Sequence, residues 1–263
     1  MSALTTTPFA VQTPDNTVKV IVMNKSDDLP TAFALHAANA KRKVALRISG
    51  GCGNMTDADK EDMVAYFLEA FRGYEGVLFS GATRQAKDGK IDPMVTDIPG
   101  LIAQANPGCI ALGTVPRTGL MQLVEESRLV LDPDGTAPSP NQSAILIVQD
   151  GPDKPSEWDG DLNVYFQLME NWRDAANFTS LGLTSWNGGG VTLKEIMTSA
   201  SKGWPTFLIG GSGRKTDEVI AKLEASDEEL LAQLPEGHKI IIAEKDDPQT
   251  LRDALIKHGF LGF

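Results

Sequence analysis

Two short stretches place glycines, hydroxyls and charged side chains where an apolar run gives way to a helical pattern. The first is LTSWNGGGVTLKE, Leu183 to Glu195; the second is PTFLIGGSGRKTDE, Pro205 to Glu218. A strand that ends in glycines and opens a helix leaves unpaired backbone N–H groups at the positive end of the helix dipole, a setting that suits phosphate. In the first stretch Asn187, Gly188, Gly189, Gly190 and Val191 supply such amides, Thr192 a hydroxyl and Glu195 a carboxylate in reach of the same crevice. In the second, Gly211, Ser212 and Gly213 lead to Arg214, a cation able to grip a phosphate through two hydrogen bonds. Thr216 and Asp217 start the following helix and are candidate ligand contacts, Asp217 or Glu195 for ribose hydroxyls, although their ordinary work there is capping.

Neither stretch completes a familiar nucleotide fingerprint. Arg214 separates Gly213 from Lys215, and no glycine stands at the upstream position a P-loop needs, so an ATPase is rejected. Neither Gly51-Cys52-Gly53 nor Gly211-Ser212-Gly213 extends to the GxGxxG of dinucleotide enzymes. Two further turns are candidates for the same crevice: Gly50, Gly51, Gly53 and Asn54 after one apolar run, and Ser80, Gly81, Ala82 and Thr83 after another. Gly113 and Thr114 close a third run. Cys52 has no histidine near it in sequence, so it reads as a buried, inert thiol.

These turns need strands to end at them and helices to start from them. Apolar runs predict strands at 18–23, 44–48, 77–79, 109–112, 144–149 and 239–243, with an edge strand at 128–131. Helical spacing predicts helices at 31–39, 57–71, 98–105, 162–177, 227–234 and 248–258. Residues 85–96, 132–142 and 152–161 read as loops. Alternating strands and helices give the fold class: α/β, Rossmann-like, with a mostly parallel sheet and helices on both faces. Residues 1–17 read as an N-terminal arm and 18–263 as a single domain. Five strands are expected to end in glycine turns, at Gly50, Gly81, Gly113, Gly188 and Gly210.

Composition narrows the partners. The chain has 263 residues, 41% of them hydrophobic, and a net charge of −11. An acidic balance argues against nucleic acid or an anionic membrane surface as partner, while leaving room for a small anion held by amides and a local arginine. Two cysteines and three scattered histidines give neither a disulfide framework nor a metal site. No long apolar span or leader stands out, so a cytoplasmic protein without membrane insertion is expected.

The order of these segments resembles the SLOG superfamily and, within it, the LSDAT branch, which includes the N-terminal cytoplasmic region of melastatin-type TRP channels. Leu46–Gly53 with Gly76–Thr83 is similar to that family's opening pair of strands, and Cys109–Val115 to its third. Leu131-Asp132-Pro133-Asp134 followed by Ala144–Gly151 resembles its "LDP" loop and next strand end. Asn187–Thr192 resembles its "EGG" turn, and Gly211–Asp217 its "GSGRxxD" turn. The resemblance spans about residues 18 to 258, and the last motif is its most specific part. It implies a Rossmann-like domain for a nucleotide-derived ligand such as an ADP-ribose- or NAD-like molecule, with no further cofactor required. It also implies a homo-oligomer, compatible with a membrane or effector partner subunit.

Asn187–Glu195 is similar also to the PGGxGTxxE motif of Lonely Guy-type phosphoribohydrolases. Gly188, Gly189, Thr192 and Glu195 agree, Asn187 replaces the proline, and Val191 the third glycine. That likeness implies a catalytic role for Glu195 in cleaving an N-glycosidic bond. Three readings therefore stand: a ligand sensor, an N-glycosidase built on Glu195, and an assembly subunit whose pocket has decayed.

Overall fold

The computed structural model describes residues 9–12, 17–24, 36–87, 90–92, 94–116, 121–124, 128–131, 136–139, 142–151, 154 and 156–262. Its centre is a nine-stranded sheet. In chain order these strands are β1 (Phe9–Gln12), β2 (Thr17–Asn24), β3 (Val44–Gly51), β4 (Val77–Ser80), β7 (Ile110–Pro116), β11 (Ala144–Gln149), β12 (Ser180–Asn187), β13 (Thr206–Gly210) and β14 (Ile240–Glu244). Across the sheet the order is β1-β2-β11-β7-β4-β3-β12-β13-β14. Only β1 runs antiparallel, against β2; every other pairing is parallel. β5 (Thr83–Lys87), β6 (Lys90–Asp92) and β10 (Thr136–Pro138) form a small antiparallel sheet, and β8 (Met121–Val124) and β9 (Arg128–Leu131) a two-stranded ribbon.

The strand order has a consequence for function. From β3 the chain moves outward through β4 and β7, then returns to the other side of β3 for β12, β13 and β14. Six of the strands thus reproduce the doubly wound order 3-2-1-4-5-6, and the switch point lies between β3 and β12. The α/β, Rossmann-like class is therefore observed directly.

Among the described residues, helices of four residues or more that flank the sheet are α1 (Asp57–Ala70), α2 (Ile98–Ala105), α3 (Leu162–Ala176), α4 (Gly190–Ser201), α5 (Arg214–Glu224), α6 (Glu228–Leu231) and α7 (Pro248–Lys257). Parallel strands buried on both faces split their side chains by the two-residue period. Ala45, Val77, Phe79, Leu112, Leu146 and Leu183 pack with α3 to α6, including Trp172, Ile196, Val219 and Leu230. Val44, Leu46, Ile48, Leu78, Phe207 and Ile209 pack with α1, α2 and α7, including Phe67, Ile102 and Leu251. α1 begins with a reciprocal cap: the Thr56 side chain accepts from Asp59 N, and Asp59 accepts from Thr56 N.

The structure corrects several local expectations. Residues 85–96 are not all loop, because β5 and β6 pair there; the Asp-Gly dipeptide at 88–89 is the hairpin signal in the sequence. Thr136–Pro138 is a strand within the expected loop 132–142, at the outer edge of its sheet, where proline's missing donor costs no ladder bond. β7 does not stop at Gly113 but continues to Pro116, with Gly113 paired to Ile145 and Ser80. There a Cβ would collide with that of Ala82, so close packing accounts for the glycine. Of the expected helix 31–39, residues 36–38 are helical and 31–35 lie outside the described residues, as do 1–8 and 13–16 of the arm and 132–135. No described helix is long and apolar enough to cross a membrane.

Candidate functional site

The carboxyl ends of β3, β12, β13 and β14 frame a cleft of about 340 Å³ lined by Gly53, Asn54, Met55, Asp59, Trp186, Asn187, Gly211, Ser212, Gly213, Arg214 and Lys245. It sits at the switch point, where doubly wound sheets open a crevice. The pairings Trp186 with Gly50 and Asn187 with Gly51 bring the turns after β3 and β12 side by side. Of the sequence candidates, Gly53, Asn54, Asn187 and Gly211 to Arg214 line this cleft together. Gly50 is used for packing, since a Cβ there would run into the Trp186 carbonyl.

The two glycine turns are built differently. In the second, the amides of Gly211 and Gly213 donate to Asp217 Oδ1 and Oδ2, each at 2.9 Å. The turn thus holds its own carboxylate where an external anion would go. Ser212 Oγ accepts from Asn187 N at 2.9 Å, and Thr216 Oγ1 donates to Asn187 O at 2.7 Å, so the second turn braces the first. The Lys215 amide adds a 3.4 Å contact to Gly188 O. In the first turn no side chain caps α4, whose N-cap is Gly189. Its first-turn amides remain available, as helix N-termini leave them. Gly51, Gly188, Gly190 and Val191 belong to these paired turns, and Thr192 is buried beneath the first of them.

Arg214 lies between the two features. It is exposed, and its guanidinium packs over glycine: a Cβ on Gly53 would overlap Arg214 Nη1, and one on Gly189 would stand 3.3 Å from Nη2. Among the described residues the guanidinium has neither an ion pair nor a hydrogen bond. Its backbone φ is +47°, in the left-handed region that costs a non-glycine residue about 1–2 kcal/mol. Lys245, after β14, adds a second cation to the cleft wall, 3.8 Å from Asp59 Oδ1. Hydrogen bonds from Thr56 and the charge of Lys245 hold the Asp59 carboxyl below its ordinary range.

Glu195 is not open to this cleft. It is buried against β3, where Oε1 accepts from Arg47 Nε at 2.9 Å, Arg47 Nη2 at 2.9 Å and the Tyr165 hydroxyl at 2.7 Å. Oε2 accepts from the Ser49 hydroxyl. The Arg47 guanidinium stacks 3.9 Å from the centre of the Tyr165 ring. Burial disfavours its charge, but Glu195, Tyr165 and Asp161 more than offset that, so its pKa is raised. Asp161 adjoins the network and accepts from Thr114 Oγ1 at 2.7 Å. Burial pushes its carboxyl up to about 6, against the lowering influence of Arg47 and Thr114.

The remaining sequence candidates sit elsewhere. Ser80 is buried and donates to Thr96 O at 2.6 Å, and its Oγ accepts from Ala82 N at 3.1 Å. Gly81 and Ala82 follow β4 beside it, and the side chain of Thr83 lies outside the described residues. Thr114 is committed to Asp161. Cys52, expected to be buried, is only half-buried, whereas Cys109 is buried and burial raises its thiol to about 12. Among the described residues no cluster of His, Cys, Asp and Glu could hold a metal.

Sequence reasoning missed Arg47, Asp161, Trp186 and Lys245. For Arg47 there was a signal: a charged residue inside the apolar run VALRISGG must find a buried partner. Lys245 carries no such mark in the sequence.

No family model matches the chain, and neither does any curated protein. Solved structures do match. One is the X-ray structure of TM1055, a Northeast Structural Genomics Consortium target, at 17% identity over 82% of this chain and 99% of that one, with a TM-score of 0.44. At that distance the fold assignment rests on the strand order itself.

Proposed function

We propose that this protein binds a phosphate-bearing, nucleotide-derived ligand at the switch-point cleft without breaking it down. The observation that carries the reading is the position of Arg214. Its unpaired guanidinium lies across Gly53 and Gly189, between the cleft and the uncapped start of α4. A phosphate there would meet backbone amides, the helix dipole and a bidentate cation together, and the cleft would take the rest of the ligand. ADP-ribose- and NAD-like molecules, the ligand class of the SLOG resemblance, remain the leading candidates, as does assembly into homo-oligomers.

The N-glycosidase reading needs Glu195 to face a ribose. In this structure its two oxygens accept four hydrogen bonds from Arg47, Tyr165 and Ser49, and the residue is buried. A carboxylate so engaged fits structural support better than catalysis.

The test is calorimetric titration of the protein with ADP-ribose, NAD and AMP, alongside Arg214→Gln. Saturable binding that weakens about 10- to 100-fold in the variant is expected, the loss corresponding to a charged hydrogen-bonded contact. Absence of binding to every one of these nucleotides overturns the reading. Release of free base during the titration, lost in Glu195→Gln, would favour the hydrolase.

A further inference from the structure

Two polar atoms at the end of β12 lack hydrogen-bond partners among the described residues although they are buried: Trp186 Nε1, a donor, and Asn187 Oδ1, an acceptor. Trp186 is 1% exposed and Asn187 3%, and both line the cleft. Such groups are ordinarily paired, because an orphaned one forfeits its hydration without return. The identity of the Asn187 acceptor is fixed by its other end, since Nδ2 donates to Gly53 O at 3.1 Å. Asn187 also holds a left-handed backbone, with φ of +57°. The Trp186 ring itself packs against both Tyr66 and Phe67, with ring centres at 5.3 and 5.6 Å. A rigid donor and a rigid acceptor on consecutive residues thus lie beside the cleft that Arg214 borders.

We infer that this pair is a second recognition pole of the cleft, selecting a ligand group that presents an acceptor beside a donor: an amide or the amide-like edge of a nucleobase. The inference rests on the proposed function, in which Arg214 and α4 hold the phosphate. Trp186 Nε1–H donates to the ligand acceptor, and Asn187 Oδ1 accepts from its N–H. Both protein atoms are covered, so the turn of residues 52–55 shifts to admit the group. Asn54 in that turn has a φ of +66°, and Met55 is only half-buried. The shared chemistry has two sources, the amidine edge of adenine and the carboxamide of nicotinamide. Ribose 5-phosphate keeps the phosphate and lacks both.

The experiment titrates the full chain with AMP, nicotinamide mononucleotide and ribose 5-phosphate, then repeats this with Trp186→Phe and Asn187→Gly. Phenylalanine keeps an aromatic ring packed against Tyr66 and Phe67 while deleting the N–H; glycine keeps the left-handed backbone while deleting the acceptor. At least one of the two nucleotides is expected to bind about tenfold or more tighter than ribose 5-phosphate, the size of one buried hydrogen bond gained. Whichever nucleotide is preferred identifies the source. Each variant should lose most of that preference with ribose 5-phosphate affinity unchanged, which also reports that the fold and the phosphate pole are intact. If ribose 5-phosphate binds as tightly as both nucleotides, the second pole is overturned and the phosphate reading stands. The same follows if the preference survives in either folded variant. If none of the three ligands binds the unaltered protein, the second pole is overturned, and the phosphate reading falls with it when ADP-ribose and NAD fail to bind as well.

Discussion

Two arginines stand near the carboxyl ends of the central strands, and their surroundings are opposite. Arg47 is buried on β3, paired to Glu195 through two nitrogens and stacked on Tyr165. Arg214 is exposed, without a partner among the described residues, and held on a left-handed backbone over two glycines. A buried charge must be compensated within the protein, so Arg47 reads as part of the scaffold. An uncompensated charge on a strained backbone, beside a cleft, reads as held for something that arrives. Position near the switch point alone therefore does not mark a binding residue; what separates the two is whether the protein already pairs the charge, as Glu195 does for Arg47 even though Arg47 Nη1 lacks a partner among the described residues.

The contrast is most easily broken at Glu195. If Glu195 is scaffold, Glu195→Ala leaves Arg47 buried and unpaired, and urea unfolding should show a loss of about 3–5 kcal/mol. A variant within about 1 kcal/mol of the parent would return Glu195 to the list of catalytic candidates.

Asp161 sharpens the scaffold side through pH. Its carboxyl is raised to about 6 in the folded state, above the ordinary 3.8. The folded protein therefore holds this proton more tightly than the unfolded chain. Stability from this group is greatest below about pH 4, falls as pH rises to about 6 and is flat above that. Asp161→Asn keeps an acceptor for Thr114 and removes the desolvated charge, so it should stabilise the protein by about 3 kcal/mol at pH 7.5. Little difference should remain at pH 4. Denaturation midpoints at the two pH values measure this; an equal effect at both would exclude Asp161 as the titrating group.

The smallest effect is expected at Arg214, and its sign is the informative part. Arg214→Gly relieves a left-handed backbone and should raise the unfolding free energy by about 1 kcal/mol while weakening nucleotide binding. Thermal melts with and without AMP would show the apo protein gaining stability and the ligand-induced shift shrinking. A destabilised apo protein would mean that Arg214 supports the fold, and the contrast with Arg47 would collapse.

Much of the architecture was legible beforehand. The strands at 44–48, 77–79 and 144–149 are short apolar runs closed by turn residues, and α1 is announced by Thr56 and Asp57 at its start. These signals are local, carried by periodicity and backbone preference, and one sequence is enough to display them. The hairpin of β5 and β6 was also local but passed over, its Asp-Gly signal lying within a polar stretch. The two glycine turns were likewise visible as the best candidates for binding phosphate, although the sequence presented them as equivalents.

Their inequivalence belongs to the tertiary structure. Capping was the ordinary expectation for Asp217, but GGSGRKTD does not say that it takes the amides of both Gly211 and Gly213, and NGGGVT does not say that it is left without a side-chain cap. Nor does the spacing from Arg47 to Glu195, 148 residues, indicate that they meet. Periodicity fixes which face of an element is apolar, and so it determined the α/β layers. Which polar groups satisfy one another depends on strand order and on which helices flank β3, both set only when the whole chain packs. The sequence alone therefore named the residues with the chemistry to bind phosphate, and the folded protein decided which of them were already in use.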